Sequence, residues 1–188
     1  MTDRETVTVR SRADLRAWLA KNHTQTDGIW LATYKKHHPD HLPWIEAIEE
    51  LLCWGWVDAV TRKVDEDRSA HLVAPRKVNS AWSALNKDLV KKARAAGAMT
   101  EAGEAKISAA VQNGMWIFLD DVEAGLVPDD LDSALGDLRE VWDAWPRSVR
   151  RGTLEWIKTA KTEPTRAKRI ADVRDSAAAG LRPSPFRR

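Results

Sequence analysis

The sequence predicts an α+β fold, a small and mostly antiparallel sheet packed with helices and followed by a helical C-terminal unit. Three observations carry that expectation. Residues 29–35, 56–65 and 70–74 are short runs rich in β-branched and aromatic side chains, bounded by turn residues. The segments between them, and everything after Pro75, repeat apolar residues at three- and four-residue spacing. At 188 residues and 43% hydrophobic, the chain can bury one substantial core, or one core with a helical appendage.

Taken in order, Thr6-Val7-Thr8-Val9 is either an edge strand or a leader. Ser11 caps a helix in which Leu15, Trp18 and Leu19 recur on one face, ending near Asn22. Asp27-Gly28 is the turn before the strand at 29–35. His37-His38-Pro39-Asp40-His41 brings three imidazoles together, but adjacent histidines point apart and no carboxylate or cysteine pattern accompanies them. The segment reads as a loop and no metal ligand is assigned. Pro43 opens a helix with Ile45, Ile48, Leu51 and Leu52 on its core face and Glu46, Glu49 and Glu50 on the other. That helix runs into Trp54-Gly55-Trp56, a corner where glycine supplies a sharp exit into the strand at 56–65. Glu66-Asp67-Arg68-Ser69 then folds the chain back as a hairpin onto 70–74.

Beyond Pro75 the pattern is helical. Ser80 caps a helix with Trp82, Leu85, Leu89 and Ala93 inward and Lys87, Asp88, Lys91 and Lys92 outward, ended by Gly97. A second helix spans 100–112 and stops at Gly114. Residues 125–128 are the domain seam, giving an N-terminal α+β domain at 1–125, a helical unit at 126–182 and a flexible tail at 183–188. Within that unit Pro128 starts an acidic helix with a Leu131, Leu135 and Leu138 stripe. Val149, Trp156, Ile157 and Ala160 define the next helix, and Thr162 caps the last, which runs through Ile170 and Val173 to Gly180.

Composition narrows the function classes. No apolar run approaches the roughly 20 residues of a membrane span, and the charged start lacks an apolar signal region, so a cytoplasmic protein without membrane insertion is expected. The single Cys53 cannot form an intramolecular disulfide or a thiolate metal cluster. The net charge of +2 conceals an acidic block, nine Asp/Glu against one Lys/Arg over 113–145. A basic block follows, four against twelve over 146–188. Either the blocks neutralise each other or the basic one binds a polyanion such as nucleic acid. Glycine-rich phosphate loops and nucleophile-elbow patterns are missing, so no cofactor is assigned. Cys53, at the C-terminal end of an apolar helix, reads as a core thiol rather than a nucleophile.

Four segments carry a family resemblance. They are Leu52-Cys53-Trp54-Gly55-Trp56-Val57-Asp58; Pro75-Arg76 with Ser80-Ala81-Trp82-Ser83 and Asn86; Gly97-Ala98-Met99 with Gly103, Gly114 and Trp116; and Trp156-Ile157-Lys158-Thr159-Ala160-Lys161-Thr162-Glu163-Pro164-Thr165-Arg166 with Arg169-Ile170. As a set, spread from Ser11 to Gly180, the chain resembles the bacterial YdeI/OmpD-associated, or bacteriocin-protection, family. The resemblance implies a bacterial stress or antimicrobial-resistance role and assigns no catalytic residue. Pro164 departs from the helix former of the family pattern, but a first helical turn tolerates proline.

The first three segments converge on one candidate binding site, formed by Trp54, Trp56, Asp58, Arg76, Trp82 and Asn86. Trp56 and Asp58 share a strand face, Arg76 leaves the partner strand, and Trp82 and Asn86 share a helix face at i, i+4. They describe a cleft with indole walls and an Asp58–Arg76 pair at its base, suited to non-enzymatic binding of a small molecule, peptide or protein partner, with a small-molecule enzyme of unknown reaction using the same Asp58–Arg76 cleft as an alternative. The bland alternative is an internal pair without ligand. The competing site is the basic C-terminal hairpin, although Arg166 and Arg169 can also dock on the acidic helix after Pro128.

Overall fold

A computed structural model describes residues 4–187, which divide into two compact units, one ending at Phe118 and the other beginning at Leu119. The first unit runs β1 (Thr6–Thr8), α1 (Arg12–Asn22), β2 (Ile29–Tyr34), α2 (Trp44–Cys53), β3 (Trp56–Lys63), β4 (Arg68–Pro75), α3 (Ala84–Ala95) and α4 (Glu101–Gln112). The strands form one mixed sheet in the order β1-β2-β4-β3. Thr6–Thr8 is thus an edge strand. It pairs parallel to β2 because α1 carries the chain across between them, and the other two pairings are antiparallel.

The 56–75 hairpin forms with Trp56 opposite Pro75 and Asp58 opposite Val73, and a bulge separates Asp58 from Thr61. Leu15 and Leu19 of α1, Ile29 and Leu31 of β2, Leu51 of α2, Trp56 and Val73 make one core cluster. Leu52, Trp82, Leu89, Val90, Ile107 and Ala110 make a second.

Two expectations for the helices are corrected. Glu49 and Glu50 do not face solvent: both are buried, while Ile45 is 43% exposed. Cations from distant segments reverse the expected polarity. Arg12 Nε and Arg16 Nη1 donate to Glu50 at 2.9 and 2.8 Å, and Arg12 Nη1 and Lys92 Nζ reach Glu49 at 2.9 and 2.7 Å. Burial pushes the Glu49 carboxyl up, but Lys92 and Arg12 outweigh it and hold the group below its ordinary range. The second correction concerns α3. Ser83, not Ser80, is its cap, accepting the Asn86 N–H at 3.3 Å, and Leu85 is exposed. Trp82 stands before the helix, its N–H donated to Met115 O, so Trp82 and Asn86 do not share a helical face. Insertion of Trp82 into the second cluster keeps the segment before it non-helical.

The second unit contains α5 (Asp120–Ala124), α6 (Asp129–Leu135), α7 (Arg139–Asp143), α8 (Arg147–Lys158) and α9 (Glu163–Ala178). The acidic helix after Pro128 is interrupted at Gly136, so Leu131 and Leu135 are buried while Leu138 sits half-buried in a 3-10 turn. Thr162 caps α9 with Pro164 in its first turn. The tail is docked rather than loose: Ser184 Oγ and N–H donate to Asp172, Arg187 Nη2 donates to Ser176 Oγ at 2.8 Å, and Phe186 lies against Gly152. Arg188 lies outside the described residues.

Candidate functional site

The site grows from the α2–β3 corner. Gly55 adopts φ +72°, which lets β3 leave at a sharp angle; a Cβ there would also stand 2.6 Å from Lys106 Cγ. Helix α4 is clamped on the same corner. Thr100 donates its N–H and hydroxyl to Cys53 O at 3.2 and 2.6 Å, and a Cβ on Gly103 would lie 2.3 Å from that oxygen. The close approach brings the small residues Ala102 and Ala105, with Lys106, opposite Trp54, Gly55 and the end of β4. Between them opens a cavity of about 910 Å³, closed on the far side by residues 23–28. A second cavity of about 230 Å³, reaching Trp82, adjoins it and shares Arg76, Lys77, Ala105 and Lys106 as walls.

Arg76 is the chemical centre of that shared wall. It is 3% exposed, and its guanidinium lies 3.8 Å from the Trp82 ring centroid. Nη2 donates to Ala81 O, whereas Nε and Nη1 are buried and have no hydrogen-bond partner. Burial pushes the guanidinium down to about 10, with Asp58 partly opposing through space, so Arg76 remains a cation at neutral pH. No ion pair forms between Asp58 and Arg76. The larger cavity is lined by four cations, Arg4, Arg76, Lys77 and Lys106, against one carboxylate, Asp27. Lys77 and Lys106 have no acidic partner within salt-bridge distance among the described residues.

The structure divides the six residues singled out in the sequence. Trp54 and Arg76 line the larger cavity, and Arg76 and Trp82 line the smaller one. Trp54 is held there by Nε1 donating to Glu50 at 3.0 Å and by its ring against His23. Trp56 is fully buried, edge-on to Trp18, with Nε1 donating to His23 O at 3.1 Å. Asp58 accepts the Trp44 Nε1–H at 3.3 Å, and Trp44 stacks 3.5 Å from His71. Burial lowers the His71 pKa. Asn86 lies in the first turn of α3, away from both cavities. The sequence reading passed over Lys77, which follows Arg76 directly, and Lys106, whose signal was a lone cation on the Ala102, Ala105 and Ala109 face of α4.

Cys53 is buried, and burial pushes its thiol up to about 11, which suits a core residue and not a nucleophile. Among the described residues no group of three or more His, Cys, Asp or Glu is placed to hold a metal ion. His37 instead meets Asp67, His38 stacks on Tyr34, and His41 Nδ1 lies 2.8 Å from Tyr34 O.

In the second unit several cations of the basic block are committed to carboxylates. Arg166 meets Asp130 through two nitrogens at 2.6 and 2.8 Å, Lys158 meets Asp121 at 2.6 Å, and Arg151 bridges Glu123 and Glu155 at 2.6 Å each. Arg169 leaves the acidic helix alone and lies over Trp156, donating to the Trp156 carbonyl.

Comparison with known families separates the two units. Residues 7–106, more than half of the chain, match a domain of unknown function (DUF8412). The chain belongs to that family. Residues 126–180 match the bacteriocin-protection, YdeI or OmpD-associated family, the one the sequence motifs resemble. Of the four motif segments, the one from Trp156 to Ile170 lies in this second match. Leu52 to Asp58, Pro75 to Asn86 and Gly97 to Gly103 lie in the DUF8412 match, and Gly114 and Trp116 lie in neither. No curated protein and no solved structure matches the chain. No helix is long and apolar enough to cross a membrane among the described residues.

Proposed function

We propose that this protein is a non-enzymatic, cytoplasmic binding protein of the bacteriocin-protection or stress-resistance type, and that its first unit takes up a small anionic ligand in the cavity at Arg76. One observation carries the reading. Leaving a cationic guanidinium buried with two of its nitrogens unsatisfied is costly, so such groups are normally paired, and the residue that carries this one lines a cavity of ligand size. The excess of lysine and arginine in the lining favours an anion. The bacteriocin-protection match in the second unit supports the physiological setting. A buried Cys53 and an Asp58 engaged by Trp44 argue against use of either as a nucleophile or base. Internal pairing of Arg151, Lys158 and Arg166 speaks against the nucleic-acid alternative, because those cations are not free to neutralise phosphates.

Production of the protein in a peptide-sensitive bacterial host tests this reading. Survival under an antimicrobial peptide should rise with the wild-type chain and fall back to that of an empty host with Arg76→Met at equal abundance. Full protection by Arg76→Met would remove the cavity from the function. Protection by neither chain would remove the resistance role.

A further inference from the structure

Resting on the proposal that the Arg76 cavity takes an anion, we infer that its ligand is a monocarboxylate with an apolar body, the carboxylate seated on Arg76 beside Lys77 and Lys106. Three features select this class over phosphate esters and polyanions. The buried donors come from a single guanidinium whose third nitrogen is already engaged by Ala81 O, so two nitrogens, Nε and Nη1, are left without an acceptor of their own. A carboxylate is satisfied by few donors, whereas a buried phosphate dianion needs a cradle of several.

The α2–β3 corner does not supply that cradle. The backbone N–H groups of Gly55 and Arg76 are spent on Leu52 O and Gly55 O, and Thr100 caps α4 with its own hydroxyl at 3.4 Å from Gly103 N. Glu101 and Glu104 in the first turn of α4 further disfavour a dianion at that helix end. The walls supply the third feature. Leu72, Ala74, Pro75, Gly55 and Ala102 offer an apolar lining for a hydrocarbon or ring, with Trp54 in the same wall. The apolar body then lies along these walls of the larger cavity, which also carries the cations.

Isothermal titration of the full chain with hexanoate, benzoate, inorganic phosphate and hexylammonium tests the inference. Hexanoate and benzoate should bind with one-to-one stoichiometry, and phosphate and hexylammonium should give no heat at the same concentration. Arg76→Met should weaken carboxylate binding by about tenfold or more, the loss expected for a charge-assisted hydrogen bond. Methionine fills the same volume over Trp82, and circular dichroism checks that the fold survives. Should that variant not fold, Lys106→Gln at the rim gives a second reading, with binding weakened a few-fold and steeper salt sensitivity lost. Phosphate binding tighter than either carboxylate overturns the ligand class while leaving an anion site. Hexylammonium binding as well as hexanoate, or no binding by any anion, overturns both the class and the anion-binding reading. Unchanged binding by Arg76→Met and Lys106→Gln overturns the seat.

Discussion

In the first unit the carboxylates of Glu49 and Glu50 are buried and each is met by two cations, while Arg76 is buried and met by none. In the second unit Asp121 and Asp130 are about half exposed and meet Lys158 and Arg166, while Arg151 bridges Glu123 and Glu155. The contrast shows where unbalanced charge was tolerated. Burial makes each unpaired group costly, so Arg76, a buried cation at a cavity wall with no counter-charge among the described residues, is what supports the proposed ligand site. Surface pairing in the second unit costs little and adds little. It neutralises part of the basic block against the acidic one, through Arg150, Arg151, Lys158 and Arg166.

The largest effect should come from breaking the buried network. Glu50→Ala removes the acceptor of Arg12 Nε, Arg16 Nη1 and Trp54 Nε1 together. Arg12 keeps Glu49 and both arginines reach solvent, so the loss should fall near the lower end of the range for buried pairs, about 3 kcal/mol. Urea denaturation followed by tryptophan fluorescence measures it. A loss below about 1 kcal/mol would mean the network is no stronger than a surface pair, and the contrast between the units would fail.

A smaller but more local effect should follow from Gly103→Ala. The added methyl would overlap the Cys53 carbonyl, which is backbone and cannot swing away, so α4 must shift outward. Overpacking of this kind costs about 1–3 kcal/mol. Because α4 supplies Ala102, Ala105 and Lys106 to the cavity, carboxylate binding should weaken together with stability. Native labelling of Cys53 by a thiol reagent, slow in the parent, should quicken as the clamp loosens. Rapid labelling of the parent itself would contradict the buried thiol.

Much of this architecture was readable from local chemistry. Ser11 and Thr162 cap the helices they precede, and Trp54-Gly55-Trp56 turns a helix into a strand, because caps and positive-φ glycines act within a few residues. What escaped depends on groups far apart in the chain. Glu49 and Glu50 look solvent-facing until Arg12, Arg16 and Lys92 arrive, and the parallel pairing of β1 is invisible without its partner strand. In the candidate site, Trp54, Arg76 and Trp82 were picked out by motif and lie at the cavities. The Asp58–Arg76 pair was drawn from strand periodicity, which places a residue on a face but does not say which neighbour takes it. The Trp44 indole, fourteen positions earlier in the chain, takes Asp58.

The smallest expected effect belongs to the surface pairs of the second unit, and its dependence on conditions separates it from the others. Arg166 holds the Asp130 carboxyl below its ordinary range by hydrogen bonding, against a smaller upward push from burial. A carboxyl depressed in the folded state stabilises the fold fully above the unfolded value near about 3.9, and that contribution disappears as pH falls through the lower folded value. At neutral pH and low salt Asp130→Asn should therefore cost no more than about 1 kcal/mol, because Asp130 is half exposed. The difference between parent and variant should shrink in high salt, where surface attraction is screened, and disappear as pH falls through the lowered folded value of Asp130. Thermal unfolding across pH and ionic strength measures both trends. A cost of several kcal/mol that persists in high salt would show that Asp130 behaves like buried Glu50, and the distinction drawn between the two units would not hold.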